Sequence, residues 1–528
     1  MNIEETLQSI ADDKIRMLIA SMHNTIVDLQ EENRSLKRQL FARKSEQMRP
    51  ADPVHPKGSL FDEAEALAGA AAASDSNKEV ADGTPSSSTS SPAVEPKKER
   101  KPRTFSAALP RETIVHDLPE DQKTCPCGCR MRKISEETVE KLAMPASRIY
   151  VKRHVYIKYA CESRECLVTQ PKAEASPIPG SSFDVSILAW ILSGKFALGL
   201  PLYRIEGELK SLGAEVSRVT LARLVIRASE VLEPLYNHMR AVVMSSSVVC
   251  ADETRIQVLE GKKRADSDSF MWVACTSPFY PTAAVFMYDA SHSADAAKRL
   301  LDGFSGRCVI ADGYAGYNAF FAANSKVKQA GCWAHARRKF DDAMQAGVTA
   351  GVDVARAFVE DIGELFLLER KYKSLATEDR LRERKTHAPP ILERIRARLD
   401  HWLQRTIPSG KLGRALVYLQ GQWETLQTFL SDGDVPLSNN HCENMIRPFV
   451  TGRKAWLFSA SESGAHSSAI LYSLAVTARQ HEINTEYYFR RVLTEIADDQ
   501  AAGQPTDYAA LMPWVIRAEI GDPDPELN

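Results

Sequence analysis

From Ser247 onward the apolar pattern switches from helical spacing to strand spacing, and this switch limits the fold more than any other feature of the chain. Three strand candidates follow in close succession, Val248 to Val258, Phe270 to Thr276 and Ala283 to Tyr288. A helix is expected from Ala294 to Phe304 and a fourth strand from Arg307 to Ala311.

Three strands, a helix and a strand is the order of a ribonuclease-H-like core, which sets the first strand beside the fourth. An acid on the first strand and one at the end of the fourth then become neighbours, although far apart in sequence. Asp252 and Asp312 hold those places. A third acid has to arrive from a later helix, and Glu443 offers it within Ser438 to Arg447, just after the loop Asp432 to Leu437. Residues 345 to 430 are strongly helical in composition, so most of the interval reads as a helical insertion.

Clustered carboxylates suit a hard divalent cation, Mg²⁺ or Mn²⁺, which takes oxygen ligands and leaves places for water and phosphate. Two such ions about 4 Å apart serve both the attacking and the leaving oxygen in a displacement at phosphorus. Each acid also has ordinary employment open to it. Asp252 is followed by Glu253, and strand alternation sends the two to opposite faces, so that only one joins a given cluster. Asp312 before Gly313 suits a turn. Glu443 stands three residues after Asn440, where a helix glutamate returns to its cap, and Arg447 lies one turn on.

At 528 residues the chain is too long for one ordinary core, so several modules are expected. No window has the roughly 18 uninterrupted apolar residues of a membrane span, and the best attempt, Val185 to Tyr203, is broken by Lys195. The acidic start, with Glu4, Glu5, Asp12 and Asp13, does not read as a secretory signal, so a cytoplasmic protein is expected. Net charge is −2, which excludes a simple DNA-coating protein. Any contact with DNA has to come from local basic patches, or from acids bridged to phosphate by metal.

The fold class expected is multidomain, mixed α+β and α/β. Residues 1–47 form a coiled coil: Ile15, Met22, Leu29, Leu36 and Ile19, Ile26, Asn33, Leu40 interleave at heptad spacing, and a polar Asn33 at an a position favours two strands. Residues 48–110 are a linker too poor in large apolar residues to fold, ending in the basic run Lys97, Lys98, Arg100, Lys101, Arg103. Residues 111–180 carry Cys125, Cys127, Cys129, Cys161 and Cys166, half of the ten cysteines, with strand-like alternation from Ile149 to Tyr159. This reads as a zinc ribbon: Zn²⁺ wants four soft ligands in a tetrahedron, Cys125, Cys161 and Cys166 supply three, and Cys127 and Cys129 are alternatives for the fourth. Residues 181–240 read as a helical DNA-binding unit of helix-turn-helix outline, with Leu202 to Leu212, a turn at Gly213, and Ser217 capping Arg218 to Leu232. Arg218, Thr220 and Arg223 are its DNA-contact candidates, and an ordinary helical hairpin is the other reading. Residues 241–344 hold the first part of the core, 345–435 the insertion, 436–500 the third acid's helix and further helices, and 501–528 a tail.

The chain resembles the insertion-sequence-66 family of bacterial transposases, in its large catalytic subunit. The resemblance lies in Ala251 to Thr254, Ala311 to Asn318, Gly331 to Phe340, Asn439 to Pro448 and Gly452 to Trp456. It implies a DDE enzyme that cleaves DNA and joins a 3′ end to a target, with Asp252, Asp312 and Glu443 as its acids, and it favours Asp252 over Glu253. It also implies element-end and target DNA as partners, small accessory proteins, and action at the bacterial nucleoid. Homodimers or larger assemblies are expected through the coiled coil. Cys332 and His335 are similar to a Cys-x-x-His signature of related transposases; they read either as a buried thiol with a helix-surface histidine, or as a feature that shapes the site or touches metal. Arg337, Arg338, Lys339, Arg453 and Lys454 are expected to hold phosphates. Two other functions compete, an inactive sequence-specific DNA-binding regulator and a structure-selective nuclease on the same fold.

Overall fold

The computed structural model describes residues 111–520, apart from residues 127, 144–148, 162–167, 261–267 and 347–348. The expected coiled coil and linker lie outside the described residues, as do Cys127, Cys166 and the last eight residues.

A small sheet opens the described chain. Its strands are β1 (Arg111–His116), β2 (Met131–Ala143), β3 (Tyr150–Cys161) and β4 (Val168–Thr169). β3 is central, parallel to β1 and antiparallel to β2 and β4. Cys125, Met131, Ile157 and Tyr159 form a core of their own, while Leu142, Ile149 and Val151 join the main core of the molecule. Asp184 makes the junction: it caps the next helix by accepting from the Ser186 N–H and also pairs with Lys152 of β3 at 2.9 Å.

Three helices follow, α1 (Val185–Phe196), α2 (Leu202–Ser211) and α3 (Arg218–Ser245). Gly213, with φ of +88°, makes the turn between α2 and α3, and the Ser217 hydroxyl accepts from the Thr220 N–H. α3 runs on past Leu232 and through Pro234 to Ser245, beyond the end read from sequence. Its second half buries Leu235, Met239 and Val243, and the Tyr236 hydroxyl donates to the Phe286 carbonyl, so this helix also serves the main sheet.

The main sheet is built from β5 (Val248–Glu260), β6 (Asp268–Thr276), β7 (Ala284–Asp289), then α4 (Ala294–Leu300), β8 (Cys308–Ile310), α5 (Asn318–Ala323) and β9 (Lys328–Ala330). Strand order is β7-β6-β5-β8-β9, with the first three antiparallel and β5, β8, β9 parallel. Short loops join the antiparallel strands, and helices make the parallel crossovers. The fifth strand, β9, is an addition to the sequence reading.

After α6 (Trp333–Ala346) come the helices of the inserted stretch: α7 (Thr349–Tyr372), α8 (Thr377–His387), α9 (Pro389–Leu403), α10 (Lys411–Gly421) and α11 (Trp423–Leu426). The chain returns through α12 (Asn440–Trp456), reverses at Leu457 with φ of +67°, and forms β10 (Phe458–Ser461), which lies parallel to the far end of β5. α13 (Glu462–Gln480) covers the edge strand β7, whose Phe286 and Ala284 N–H groups donate to the Ser473 and Thr477 hydroxyls. This edge is thereby closed to other strands. α14 (Thr485–Ala502) and α15 (Pro513–Ile520) complete the described chain.

Two arginines of α8 fasten the insertion to the returning loop. Arg384 is 1% exposed, pairs twice with Glu369 at 2.7 Å, and donates to the carbonyls of Phe429, Asp432, Gly433 and Val435. Arg380 donates to Gly433 and stacks on Phe279 at 3.5 Å. Removing one partner of a buried ion pair leaves a charge and several carbonyls stranded. Arg384→Ala is therefore expected to lower unfolding stability by about 3–5 kcal/mol, and a urea titration that finds less than 1 kcal/mol, on the order of a surface pair, contradicts this account.

Candidate active site

Register sets two of the acids near one another. β5 and β8 pair in parallel with Cys250 opposite Ile310; Asp252 follows two residues on along β5, and Asp312 two residues on in the loop that leaves β8. Burial, then the charges of Glu253, Glu443 and Asp312, push the Asp252 carboxyl well above the usual carboxylate range. The three acids read from sequence therefore share one electrostatic neighbourhood.

The loop after β8 explains its aromatic and glycine content. Asp312 accepts from the Tyr314 N–H at 3.0 Å, and its carbonyl accepts from the Tyr418 hydroxyl at 2.8 Å. Gly313 has φ of +91°, and Gly316 passes so close to the Tyr314 ring that a Cβ would collide with it. Tyr314 stacks on His292 with ring centroids 3.9 Å apart, and its hydroxyl donates to the His292 carbonyl.

Glu253 has partners of its own beside the acids. Its side chain is 9% exposed, bonded to His292 Nε2 at 2.9 Å and receiving the Tyr317 hydroxyl at 3.1 Å. Burial and the nearby Asp312 raise its carboxyl. Alternation gives each carboxylate its own partners, but Asp312 lies at the strand ends, within the field of both. Sequence reasoning missed His292 and Tyr317 as its partners, and Tyr314 as the ring stacked on His292; the two tyrosines lie in the Ala311 to Asn318 motif, which carries no signal for what they touch.

Asn439 sets Glu443. It is fully buried, its amide donates to the Ala251 carbonyl at 2.9 Å, and its backbone N–H donates to Cys332 Sγ at 3.1 Å. α12 begins there, and Glu443 N–H donates to the Asn439 carbonyl. On α6 the Glu443 carboxylate meets two partners: Arg338 donates to Oε2 at 3.1 Å and His335 Nδ1 stands 3.6 Å from Oε1. Burial works against a charged ring at His335, but Cys332 and Glu443 outweigh it and push its pKa up to about 9.

The basic candidates divide by burial. Arg337 is buried, Arg338 is held by Glu443, and Arg453 donates to the Thr254 hydroxyl and the Arg255 carbonyl. Lys339, stacked over Tyr418 at 4.6 Å, and Lys454 are exposed. Arg218 and Arg223 are exposed on the first turns of α3, with Thr220 half-buried between them. In the small sheet, Cys125 is buried and Cys129 exposed on a tight knuckle where Cys125 N–H donates to the Cys129 carbonyl at 2.9 Å. Backbone pairing of Met131 with Cys161 brings the end of β3 to this knuckle. Such a closed turn with thiols beside it suits a soft cation.

Three family models match this chain. "Transposase IS66 family" covers residues 180–467, "zinc-finger binding domain of transposase IS66" covers 122–164, and "Transposase C of IS166 homeodomain" covers 28–114. Among similar proteins of Sinorhizobium fredii, the uncharacterized protein y4qI is 31% identical over 79% of this chain and 78% of its own length. The uncharacterized proteins y4jD and y4hP are each 28% identical, over 78% and 77% of this chain and 81% and 75% of their own lengths.

Crowded carboxylates cost stability when nothing balances them. The Asp252 carboxyl lies above its unfolded value of 3.8. Its ionised form therefore destabilises the fold, with a penalty that grows as pH rises from the ordinary carboxylate range toward the raised folded value. Metal-free Asp252→Asn is expected to melt higher than the native chain at pH 8, with a smaller difference at pH 5, and added Mg²⁺ narrows the gap. Thermal scans in chelator showing equal or lower melting at pH 8 run against this.

Proposed function

The chain belongs to the IS66 family of transposases, and from that premise we propose that it cleaves and rejoins DNA at the ends of an insertion sequence by two-metal phosphoryl transfer. The observation that carries the reading is that Asp252 lies on β5 and Asp312 just past the end of its parallel neighbour β8, with the charges of Glu443 and Asp312 both reaching Asp252. The order of three antiparallel and two parallel strands supports a ribonuclease-H-like core interrupted by the helical insertion.

The donor set fits a hard divalent cation: all-oxygen, half-buried or buried, and mutually repelling until a positive charge arrives. Asp252, Asp312 and Glu443 would hold Mg²⁺ or Mn²⁺, which when bound activates the attacking oxygen and stabilises the leaving one. Asp312 is oriented by the Tyr314 N–H and Tyr418, and Glu253 by His292 and Tyr317, so the acids on the sheet are aimed before substrate arrives. Arg338 holds Glu443 until the cation competes for it.

Lys339, over Tyr418 beside Asp312, and Lys454, in the last turn of α12, are exposed and assigned to target or element-end phosphates. Arg218, Thr220 and Arg223 at the start of α3 are assigned to end recognition, and Cys125, Cys161 and Cys166 to zinc with one of Cys127 and Cys129. Residues 1–47 are assigned to self-association, and accessory proteins of the same element to the assembled complex. The division into modules drawn from sequence, and action in the cytoplasm at the nucleoid, belong to the same proposal.

The test is strand transfer with end-containing DNA and Mg²⁺. Asp252→Asn, Asp312→Asn and Glu443→Gln are each expected to reduce joined product about 1000-fold, since the metals stabilise the transition state by several kcal/mol and about 1.4 kcal/mol corresponds to tenfold. Undiminished joining in all three variants refutes the assignment. Cleavage without joining indicates a structure-selective nuclease instead, and end binding with no cleavage by the native chain indicates a regulator.

A further inference from the structure

At the start of α6, Cys332 Sγ, a ring nitrogen of His335 and a carboxylate oxygen of Glu443 lie within 4.8 Å of one another. Cys332 is fully buried and Glu443 is 6% exposed. One helical turn separates Cys332 from His335, and Asn439, by bonding at once to β5 and to the thiol, holds α12 so that Glu443 completes the group. Glu443 Oε1 faces His335 Nδ1 at 3.6 Å and completes no hydrogen bond among the described residues. A buried carboxylate oxygen without a donor is costly unless something positive meets it.

We propose that Cys332, His335 and Glu443 form a second transition-metal site, separate from the cysteine knuckle of the small sheet and sharing Glu443 with the hard-cation site proposed for Asp252, Asp312 and Glu443. The donors decide the metal. One thiolate, one imidazole and one carboxylate match Zn²⁺, whereas Mg²⁺ takes oxygens alone. Three protein ligands leave a fourth position for water. The Asn439 N–H already donates to the sulfur at 3.1 Å, the kind of bond that steadies a metal-bound thiolate. The thiol and the ring release their protons to solvent when the ion enters.

Zinc counting on the full chain tests this without any DNA reaction, so its outcome is independent of the proposed activity. Protein equilibrated with Zn²⁺ under reducing conditions and freed of excess is expected to hold two zincs per chain. Cys332→Ala and His335→Gln are each expected to lose one relative to the native chain, and Cys161→Ser to lose the other. The His335 variant covers the case in which the Cys332 variant misfolds, because the ring is 22% exposed and the thiol buried. With Co²⁺ in place of zinc, Cys332→Ala lowers the sulfur-to-cobalt absorption by the share of one thiolate. Native zinc content in a folded His335→Gln overturns the proposal.

Discussion

One buried side chain, Asn439, joins the three parts of the site. Its amide reaches the Ala251 carbonyl, one residue before Asp252, and its backbone N–H meets Cys332 at the start of α6. The two bonds that its N–H groups make at this depth are specific in direction. They fix both the distance and the rotation of α12 against β5. Glu443, one turn into that helix, inherits its place from them.

Asn439 can act in this way only because the chain arrives at the right point after its helical detour. The helices between α6 and α12 do not contribute acids, yet they govern where α12 starts. Arg380 and Arg384 gather the carbonyls of residues 429 to 435, and Asp434 accepts from the Tyr280 and Thr377 hydroxyls at 2.7 Å. Arg307, at the start of β8, adds a pair to Asp432 at 3.1 Å. The returning loop is thus tied to the insertion on one side and to the sheet on the other. Buried arginines serve here because a guanidinium offers five fixed donors, enough to satisfy a turn whose carbonyls have no ladder to join.

Much of the sheet was legible in the sequence, and the reason is local. β5 to β8 bury nearly continuous apolar runs that announce themselves at period two or as short hydrophobic blocks. β9, Lys328–Ala330, and β10, Phe458–Ser461, are too short and too polar for such a signal; only the partner strand makes them strands. α3 extends beyond Leu232 because burial of Leu235, Met239 and Val243 carries the helix through Pro234, a residue that costs an interior helix one backbone bond. The acids could be placed on elements, but the partners of Glu253 could not, because alternation describes one strand while His292 and Tyr317 come from other parts of the chain. Arg337, Arg338 and Arg453 are read from the sequence as phosphate contacts; tertiary packing turns them inward or onto acceptors.

The remaining question is how a site so rich in carboxylates holds together before any cation binds. Asp252 relieves its burden by a raised carboxyl, and Glu253 by His292 and Tyr317. Glu443 does so through α6, with Arg338 on one oxygen and His335 near the other. The first two arrangements are compatible with a hard cation arriving between the strands, since they leave acceptor oxygens in place. The third is not neutral in the same way: every positive charge that α6 offers Glu443 is charge that a cation at Asp252 and Asp312 must displace or share. The acid that comes from the far side of the insertion is therefore the one whose engagement is conditional, and α6, with Cys332, His335 and Arg338 on its first two turns, sets the terms.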